Sequence, residues 1–409
     1  MQSGWKKNTF WFLSGQAISL FGSSLVQYAI MWYITLQTKS GEMMMISIIC
    51  GFLPTFFLSP FAGVWADRYN RKKLIVLADA GIAVSTLILA VIFMLGYREI
   101  WLLFVVSAVR ALGSGIQIPA VGALLPQIVP DDKLTRVNGI NGSLQAGLSI
   151  FSPIVSGALL SFVSIENIFF IDVATAGIGI FIMLTAVKVA PNIKAQTEQE
   201  IGYLKDFMIG VKYIIQHAFL KQFFVYFAVF FFLVTPAAFL TPLQVVRSFG
   251  DEVWRLTAIE ITFSAGMMVG GVVMASWGGF KNKLHSMALA GFAIGVCTIA
   301  LGAVSVFWLY LLFMVFTGLA IPIFSTPSTV LLQERVEDAF MGRVFGVYGM
   351  ISSAMMPLGM LVFGPLSDYV PIEWLLLGTG ALVLLQNFFM LRSKTLYEAG
   401  KALVKDTQE

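Results

Sequence analysis

Long apolar runs separated by short polar segments set the pattern of this chain. Each run continues for about 20 residues or more, which is the length that an α-helix needs to cross a bilayer. The runs do not alternate apolar and polar residues in short segments, as the strands of a membrane β-barrel do. The pattern predicts an all-α membrane protein with twelve transmembrane helices, at 9–36, 43–66, 73–95, 101–124, 138–163, 167–189, 219–246, 254–277, 284–305, 307–330, 344–369 and 373–391.

Composition supports a membrane protein. Hydrophobic residues make up 58% of the chain and charged residues 12%, whereas a soluble domain carries about 25% charged residues. A compact soluble fold could not bury this much apolar surface, so we expect the lipid bilayer to surround the helices. The cations are scattered through loops and form no basic tail, so we expect no nucleic-acid partner.

A polar stretch at mid-chain divides the spans into six plus six. Part of it, IGYLKDFMIGVKYII, has apolar residues at helical spacing and predicts an amphipathic helix on the membrane surface. Those apolar residues are Ile201, Leu204, Met208, Val211 and Ile215. The predicted regions are an N-terminal six-helix bundle (1–190), a cytoplasmic linker (191–218), a C-terminal six-helix bundle (219–391) and a cytoplasmic tail (392–409).

The distribution of cations predicts the orientation, because Lys and Arg concentrate in cytoplasmic loops. With the N-terminus in the cytoplasm, most of the 26 Lys and Arg residues fall on the cytoplasmic side. The outer side then holds only Lys39, Arg98, Arg247 and Arg255. We therefore predict a multi-pass protein of the bacterial inner membrane with both termini in the cytoplasm.

The two halves also share a motif. LLPQIVPDDKLTRVNG precedes span five and LLQERVEDAFMGRVFG precedes span eleven, and both place a Gln, an acidic pair, an Arg and a Gly in similar order. Repeated six-helix halves are typical of transporters, which bind substrate between the halves near the middle of the membrane.

The turn between spans two and three, FAGVWADRYNRKK, concentrates charge in an otherwise apolar region. Its pattern of Gly63, Asp67, Arg68 and Arg71 resembles the loop signature of the major facilitator superfamily. The resemblance implies that these four residues form a conformational lock of the outward-facing state. Asn70 stands where that family usually has Gly, and we expect it to adopt the same left-handed conformation.

Arg110 lies within the apolar run of span four. A mid-membrane Arg costs at least about 2.5–3.5 kcal/mol, so it must face an aqueous cavity or an acidic partner; an ion pair that serves packing alone is the alternative. Facilitators that exchange substrate for protons carry a similar Arg in their fourth helix. Pro153 and Gly157 in span five resemble the antiporter signature of that superfamily, which favours export.

Several segments resemble one branch of the superfamily, the bacterial macrolide efflux pumps and their relatives, which include enterobactin-type siderophore exporters. These segments are SGQAISLFGS in span one, FLPTFFLSPFAGVWADRYNRKK, ITFSAGMMVGG in span eight and QERVEDAFMGRVF. The resemblance covers nearly the whole chain and implies an efflux transporter.

Polar side chains at helical spacing form a stripe on span one and another on span five. Each stripe either lines the substrate cavity or joins neighbouring helices by hydrogen bonds. Aromatic side chains of span seven offer flat apolar contact to a large ligand, or pack within the protein. The candidate cavity residues are Gln16, Ser19, Ser23, Gln27, Gln145, Ser149, Tyr226 and Phe230.

Three carboxylates within the spans are candidates for proton exchange. Glu260 lies in an apolar part of span eight, and we predict that it couples protons to transport. Arg110 and Asp172 complete the predicted coupling site, although Asp172 also suits helix packing. Asp79 follows the charged turn by two helical turns, so we expect it to pair there.

We therefore predict proton-coupled efflux of an amphipathic small molecule, such as a macrolide antibiotic, by alternating access. Export of a siderophore or a lipid-like metabolite is the alternative, and a non-transporting sensor built on a transporter fold is a further one. No cluster of catalytic side chains and no phosphate-binding loop occurs in the sequence, so we expect no enzymatic activity, no ATP, no cofactor and no metal. The expected partners are the substrate, protons and lipid, and the expected state is a monomer.

Overall fold

A computed structural model describes residues 4–189, 203–337 and 340–401, apart from the side chains at 59, 60, 64, 67, 131 and 203–207. Within that part of the chain all regular structure is helical, which confirms the predicted all-α fold. Twelve helical segments are long and apolar enough to cross a membrane, as the sequence predicts. Six come from α1 (Trp5–Thr38), α2 (Gly41–Arg68), α3 (Arg71–Met94), α4 (Ile100–Ile128), α5 (Leu134–Phe162) and α6 (Ile165–Thr185).

The remaining helices follow the mid-chain segment. They are α7 (Tyr203–Gln216), α8 (Ala218–Leu233), α9 (Thr241–Ser248), α10 (Val253–Trp277), α11 (Lys283–Ala303), α12 (Phe307–Arg335), α13 (Met341–Tyr369), α14 (Ile372–Arg392) and α15 (Lys394–Gly400). The seventh span runs through α8 and α9, which are joined by a π-helical stretch, Pro236–Leu240. Pro236 and Pro242 lack an N–H group to donate, so the regular hydrogen-bond ladder cannot continue through this stretch.

The described chain divides into two compact units. The first comprises Met1–Lys39, Ile46–Glu198 and Glu252–Thr257, and the second comprises Ser40–Met45, Gln199–Asp251 and Ala258–Glu409. Each unit therefore includes a short segment that the sequence analysis assigned to the other half, Glu252–Thr257 in the first unit and Ser40–Met45 in the second.

In the first unit, glycines allow the helices to approach closely. A Cβ atom at Gly22 on α1 would lie 3.0 Å from the Cα atom of Asp172 on α6, and one at Gly179 would lie 3.0 Å from the Cβ atom of Ser19. Close packing of this kind is the usual source of helix association in lipid, where no hydrophobic effect operates between helices. It brings the polar side chains of α1 and α6 within hydrogen-bond distance.

In the second unit, α10 and α12 meet through the glycines of the ITFSAGMMVGG segment. A Cβ atom at Gly266 would lie 2.1 Å from the carbonyl oxygen of Val315, and one at Gly318 would lie 2.1 Å from that of Phe263. The two backbones are therefore in direct contact. This contact gives a structural role to a segment that the sequence analysis noted only for its resemblance.

The linker and the tail both contribute helices to the second unit. On α7, Tyr213 is buried and stacks on Phe340 with ring centroids 4.1 Å apart, whereas Met208 and Ile215 are exposed. Residue Ile201 and the side chain of Leu204 lie outside the described part of the structure. On α15, Leu396 is buried, so the beginning of the predicted tail is a packed helix.

Candidate functional site

A buried ion pair lies at the centre of the first unit, where α1, α3, α4 and α6 converge. Nη1 of Arg110 on α4 donates a 2.5 Å hydrogen bond to Oδ2 of Asp172 on α6. The Arg110 side chain is 9% exposed and the Asp172 side chain 0%. The acidic partner that a mid-membrane Arg requires is therefore present within the bundle.

Two further groups complete the environment of the guanidinium. Arg110 Nη1 also donates to Thr86 Oγ1 on α3 at 2.6 Å, and Nη2 donates to the carbonyl oxygen of Ser23 on α1 at 3.0 Å. The Ser23 hydroxyl donates to Oδ1 of Asp172 at 3.2 Å. The pair thus makes three further hydrogen bonds, to Thr86 and to the carbonyl and hydroxyl groups of Ser23, which offset the cost of burying two charges.

A second buried carboxylate, Asp79 on α3, is 4% exposed and accepts a 2.6 Å hydrogen bond from Nε2 of Gln117 on α4. The prediction that Asp79 pairs with the charged turn is wrong. Close approach of α3 and α4 explains the change of partner: a Cβ atom at Gly113 would lie 3.3 Å from the carbonyl oxygen of Ala78. Asp79 therefore has an amide partner where the sequence predicted a cation.

In the charged turn, the Arg71 side chain donates hydrogen bonds to backbone carbonyl oxygens. Nε of Arg71 donates to the carbonyl oxygen of Ala66 at 2.9 Å and Nη1 donates to that of Ala123 at 2.7 Å, so Arg71 joins the end of α2 to α4. Arg68 is exposed and Gly63 is half-buried. The side chain of Asp67 lies outside the described part of the structure.

Asn70 does not adopt the expected left-handed conformation, and that prediction is wrong. Its φ is −67° and its ψ is 111°, and its side chain accepts a hydrogen bond from the backbone N–H of Lys73 at 3.1 Å. Asn70 is therefore the N-cap of α3, a role for which Asn is among the best residues.

The predicted cavity residues on α1 and α5 divide into buried and exposed groups. Ser19 is buried against α6, Ser23 bonds to Asp172, and Gln16 is 5% exposed with its Oε1 unpartnered among the described residues. Gln27 on α1 and Gln145 on α5 are exposed. Ser149 is also exposed, and its hydroxyl donates to the carbonyl oxygen of Ala146.

On α8, Phe230 is 6% exposed and stacks on Phe324 of α12, with ring centroids 4.2 Å apart. Tyr226 is half-buried, and its carbonyl oxygen accepts a hydrogen bond from Gln386 on α14. The space among these side chains is about 20 Å³, room for about one water molecule. In this conformation the aromatic residues therefore pack against protein.

Glu260 on α10 belongs to the second unit. It is half-buried, and its carboxylate makes no hydrogen bond or ion pair with any described residue. The nearby Thr257 hydroxyl donates to the carbonyl oxygen of Val253, one turn earlier on its own helix. Glu260 thus differs from Asp79 and Asp172, whose partners are fixed.

Sequence reasoning missed a polar cluster in the second unit, around Asp368 at the end of α13. Its carboxylate accepts hydrogen bonds from the backbone N–H groups of Gly41 at 2.7 Å and Glu42 at 2.9 Å, and from Nη2 of Arg247 at 2.5 Å. A carboxylate at a helix N-terminus is stabilised by the unpaired N–H groups there. The only signal in the sequence was an acidic residue at the end of a predicted span.

Comparisons with known proteins identify the family. A family model described as Major Facilitator Superfamily matches residues 12–360. Macrolide efflux protein A of Streptococcus pyogenes is 28% identical over 385 residues, which cover 93% of this chain and 95% of that protein. Macrolide efflux protein A of Enterococcus faecalis is 28% identical over 324 residues, which cover 78% of this chain and 100% of that protein.

Solved structures support the fold. A crystal structure of a mutant of the nucleoside transporter NupG has a TM-score of 0.72 at 15% identity, covering 94% of this chain and 98% of that one. At this level of identity the likeness concerns the fold alone.

Proposed function

Because the chain belongs to the major facilitator superfamily, we propose that it exports an amphipathic small molecule, such as a macrolide, in exchange for protons. The relatives named for macrolide efflux, which match 93% and 78% of this chain, support the direction and the class of substrate. The proposed location is the bacterial inner membrane with both termini in the cytoplasm, which the distribution of Lys and Arg favours.

The observation that carries proton coupling is the unpartnered carboxylate of Glu260. An ionised carboxylate within the membrane is costly unless it is paired or hydrated. Glu260 has no partner among the described residues, so it is free to gain a proton or to bind a cationic substrate. A proton and a cation that compete for one carboxylate exchange with each other, which is the requirement for antiport.

The role proposed for Arg110 and Asp172 is different. Asp172 is held by Arg110 and by the Ser23 hydroxyl, and protonating it would leave a buried guanidinium without its counter-charge. Such a loss is strongly unfavourable. We therefore assign the exchanged proton to Glu260, and we assign to the ion pair the task of holding α4 against α6 within the first unit.

A single carboxylate also favours one class of substrate. Macrolides carry an amine that is protonated at neutral pH, so they match the charge of Glu260, whereas an anionic catecholate siderophore would be repelled. Gln27, Gln145 and Ser149 are exposed and remain candidates for contacting the substrate. Gly63, Asp67, Arg68 and Arg71 remain the proposed conformational lock.

The test uses everted inner-membrane vesicles from a host that lacks its own efflux pumps. On energisation, vesicles containing the protein should accumulate a radiolabelled macrolide, and a protonophore should abolish the accumulation. Uptake of a labelled catecholate siderophore but not of the macrolide would establish the alternative substrate class. Uptake of neither compound, or uptake unaffected by the protonophore, would contradict proton-coupled export.

A further inference from the structure

A groove opens on the second unit between the first turn of α8 and the last turn of α14, beside α15. It encloses about 740 Å³ of open space. Its lining includes the apolar side chains of Val225 and Phe389. The lining also includes three cations and three polar residues, Lys221, Arg392, Lys394, Gln222, Ser393 and Thr395.

The positive charge of the groove is uncompensated. No acidic residue lines it, and the three cationic side chains make no hydrogen bond or ion pair with the described residues. The Arg392 guanidinium lies 4.4 Å from the ring centroid of Phe388, which fixes its position without neutralising it. By contrast, Lys401 on the same side of the unit is paired with Glu398 at 2.8 Å.

The groove also lies at the ends of two apolar spans. Lys221 is in the first turn of α8 and Arg392 is the last residue of α14, so both stand where an apolar span ends. Further into the spans, Val225 is 56% exposed and Phe389 52%. The site is therefore cationic at the membrane surface and apolar towards the hydrocarbon, as a phospholipid requires.

The shape of the groove is maintained by hydrogen bonds. Ser393 Oγ donates to Oε1 of Gln222 at 2.6 Å, which joins the end of α14 to α8. The same oxygen accepts from the backbone N–H of Leu396 and caps α15. These bonds hold Lys394 on α15 beside Arg392, so the cations are brought to one site by the fold.

We propose that this groove binds an anionic phospholipid, with its phosphate against Lys221, Arg392 and Lys394 and an acyl chain along Val225 and Phe389. A free phosphate ion would use the cations but not the apolar wall. If the three cations served only to orient the protein in the membrane, they would have to lie on the cytoplasmic side. That role would not require them to line the same groove.

Native mass spectrometry of the detergent-purified protein tests this proposal, with phosphatidylglycerol and phosphatidylcholine as probes. The wild type should retain phosphatidylglycerol in preference to phosphatidylcholine. A triple variant, Lys221→Gln, Arg392→Gln and Lys394→Gln, should bind phosphatidylglycerol on the order of 100-fold more weakly, because each cation near the surface contributes about fivefold. Arg392→Lys, which keeps the charge, should stay within about threefold of the wild type.

The matched control removes three cations outside the groove, Arg136→Gln, Lys281→Gln and Lys283→Gln, and should bind as the wild type does. Equal binding of both lipids, or an equal loss in the control and the triple variant, would overturn the proposal. Displacement of phosphatidylglycerol by millimolar inorganic phosphate would also overturn it, since the site would then recognise the free ion. Elution of each variant as a single folded species in size-exclusion chromatography keeps the comparison valid.

Discussion

Arg110 and Asp172, 62 positions apart in the chain, form an ion pair with a 2.5 Å hydrogen bond in the interior of the first unit. The pair joins α4 to α6, and the backbone of Ser23 and the hydroxyl of Thr86 add α1 and α3. Four membrane-spanning helices thus meet at one guanidinium. The consequences concern stability as well as transport.

Removing one member of this pair should destabilise the protein strongly. Arg110→Gln leaves the fully buried Asp172 without its cation, and the free energy of unfolding should fall by about 3–5 kcal/mol. The double variant Arg110→Gln and Asp172→Asn should lose much less than the two single variants together. Thermal unfolding in detergent, followed with a thiol-reactive dye that reports the buried Cys297, measures the effect.

An exposed pair provides the control for that experiment. Lys133 and Asp132 are 48% and 68% exposed, so Lys133→Gln should change the free energy of unfolding by less than about 1 kcal/mol. Equal shifts of the melting temperature for Arg110→Gln and Lys133→Gln would mean that the Arg110–Asp172 pair does not hold the helices together.

Glu260→Gln should remove the pH dependence of substrate binding. In the wild type, lowering the pH protonates Glu260 and weakens binding of a cationic macrolide, because the carboxylate loses its charge. The neutral Gln cannot titrate, so the variant should bind weakly and with a flat pH profile. Equilibrium binding of a labelled macrolide, measured as a function of pH for the wild type and the variant, checks this.

Glu252 serves as the comparison, because it lies just before the same helix and is 53% exposed in a pair with Arg255. Glu252→Gln should keep both the affinity and the pH profile of the wild type. If Glu260→Gln retained the wild-type slope, the exchanged proton would have to be assigned to Asp79 or Asp172.

Gly318→Ala should weaken the contact between α10 and α12. The added methyl group would lie 2.1 Å from the carbonyl oxygen of Phe263, and a backbone atom cannot move away cheaply. We expect a loss of about 1–3 kcal/mol, measured as a lower melting temperature in detergent. Gly271→Ala, where no atom lies within 4 Å of the added Cβ, should be neutral or slightly stabilising.

Asn70→Ala should destabilise the protein by about 1 kcal/mol, because α3 loses its N-cap. Asn70→Gly should cost only a few tenths of a kcal/mol, and Asn70→Asp should be close to the wild type. The same melting measurement ranks the three variants. If Asn70→Gly were clearly more stable than the wild type, a left-handed turn would explain position 70 better than a cap.

The sequence alone determined the number of spans and the helical class. These properties follow from the length of apolar runs, because a helix in lipid must satisfy its own backbone hydrogen bonds and needs no distant partner to do so. The helix in the linker was also predictable, because the spacing of its apolar residues is a local property of the sequence. The motif around Gly63 and Arg71 indicates the family through residue types and spacing alone.

Tertiary structure decided which polar groups meet. The sequence required a partner for Arg110 but did not select Asp172, and it assigned Asp79 to the wrong neighbour. Both results depend on how closely α1, α3, α4 and α6 approach, which small residues such as Gly22 and Gly113 permit. Hydropathy is a property of each segment by itself, whereas a hydrogen bond between helices depends on the rotation and spacing of both, and only the packed structure determines these.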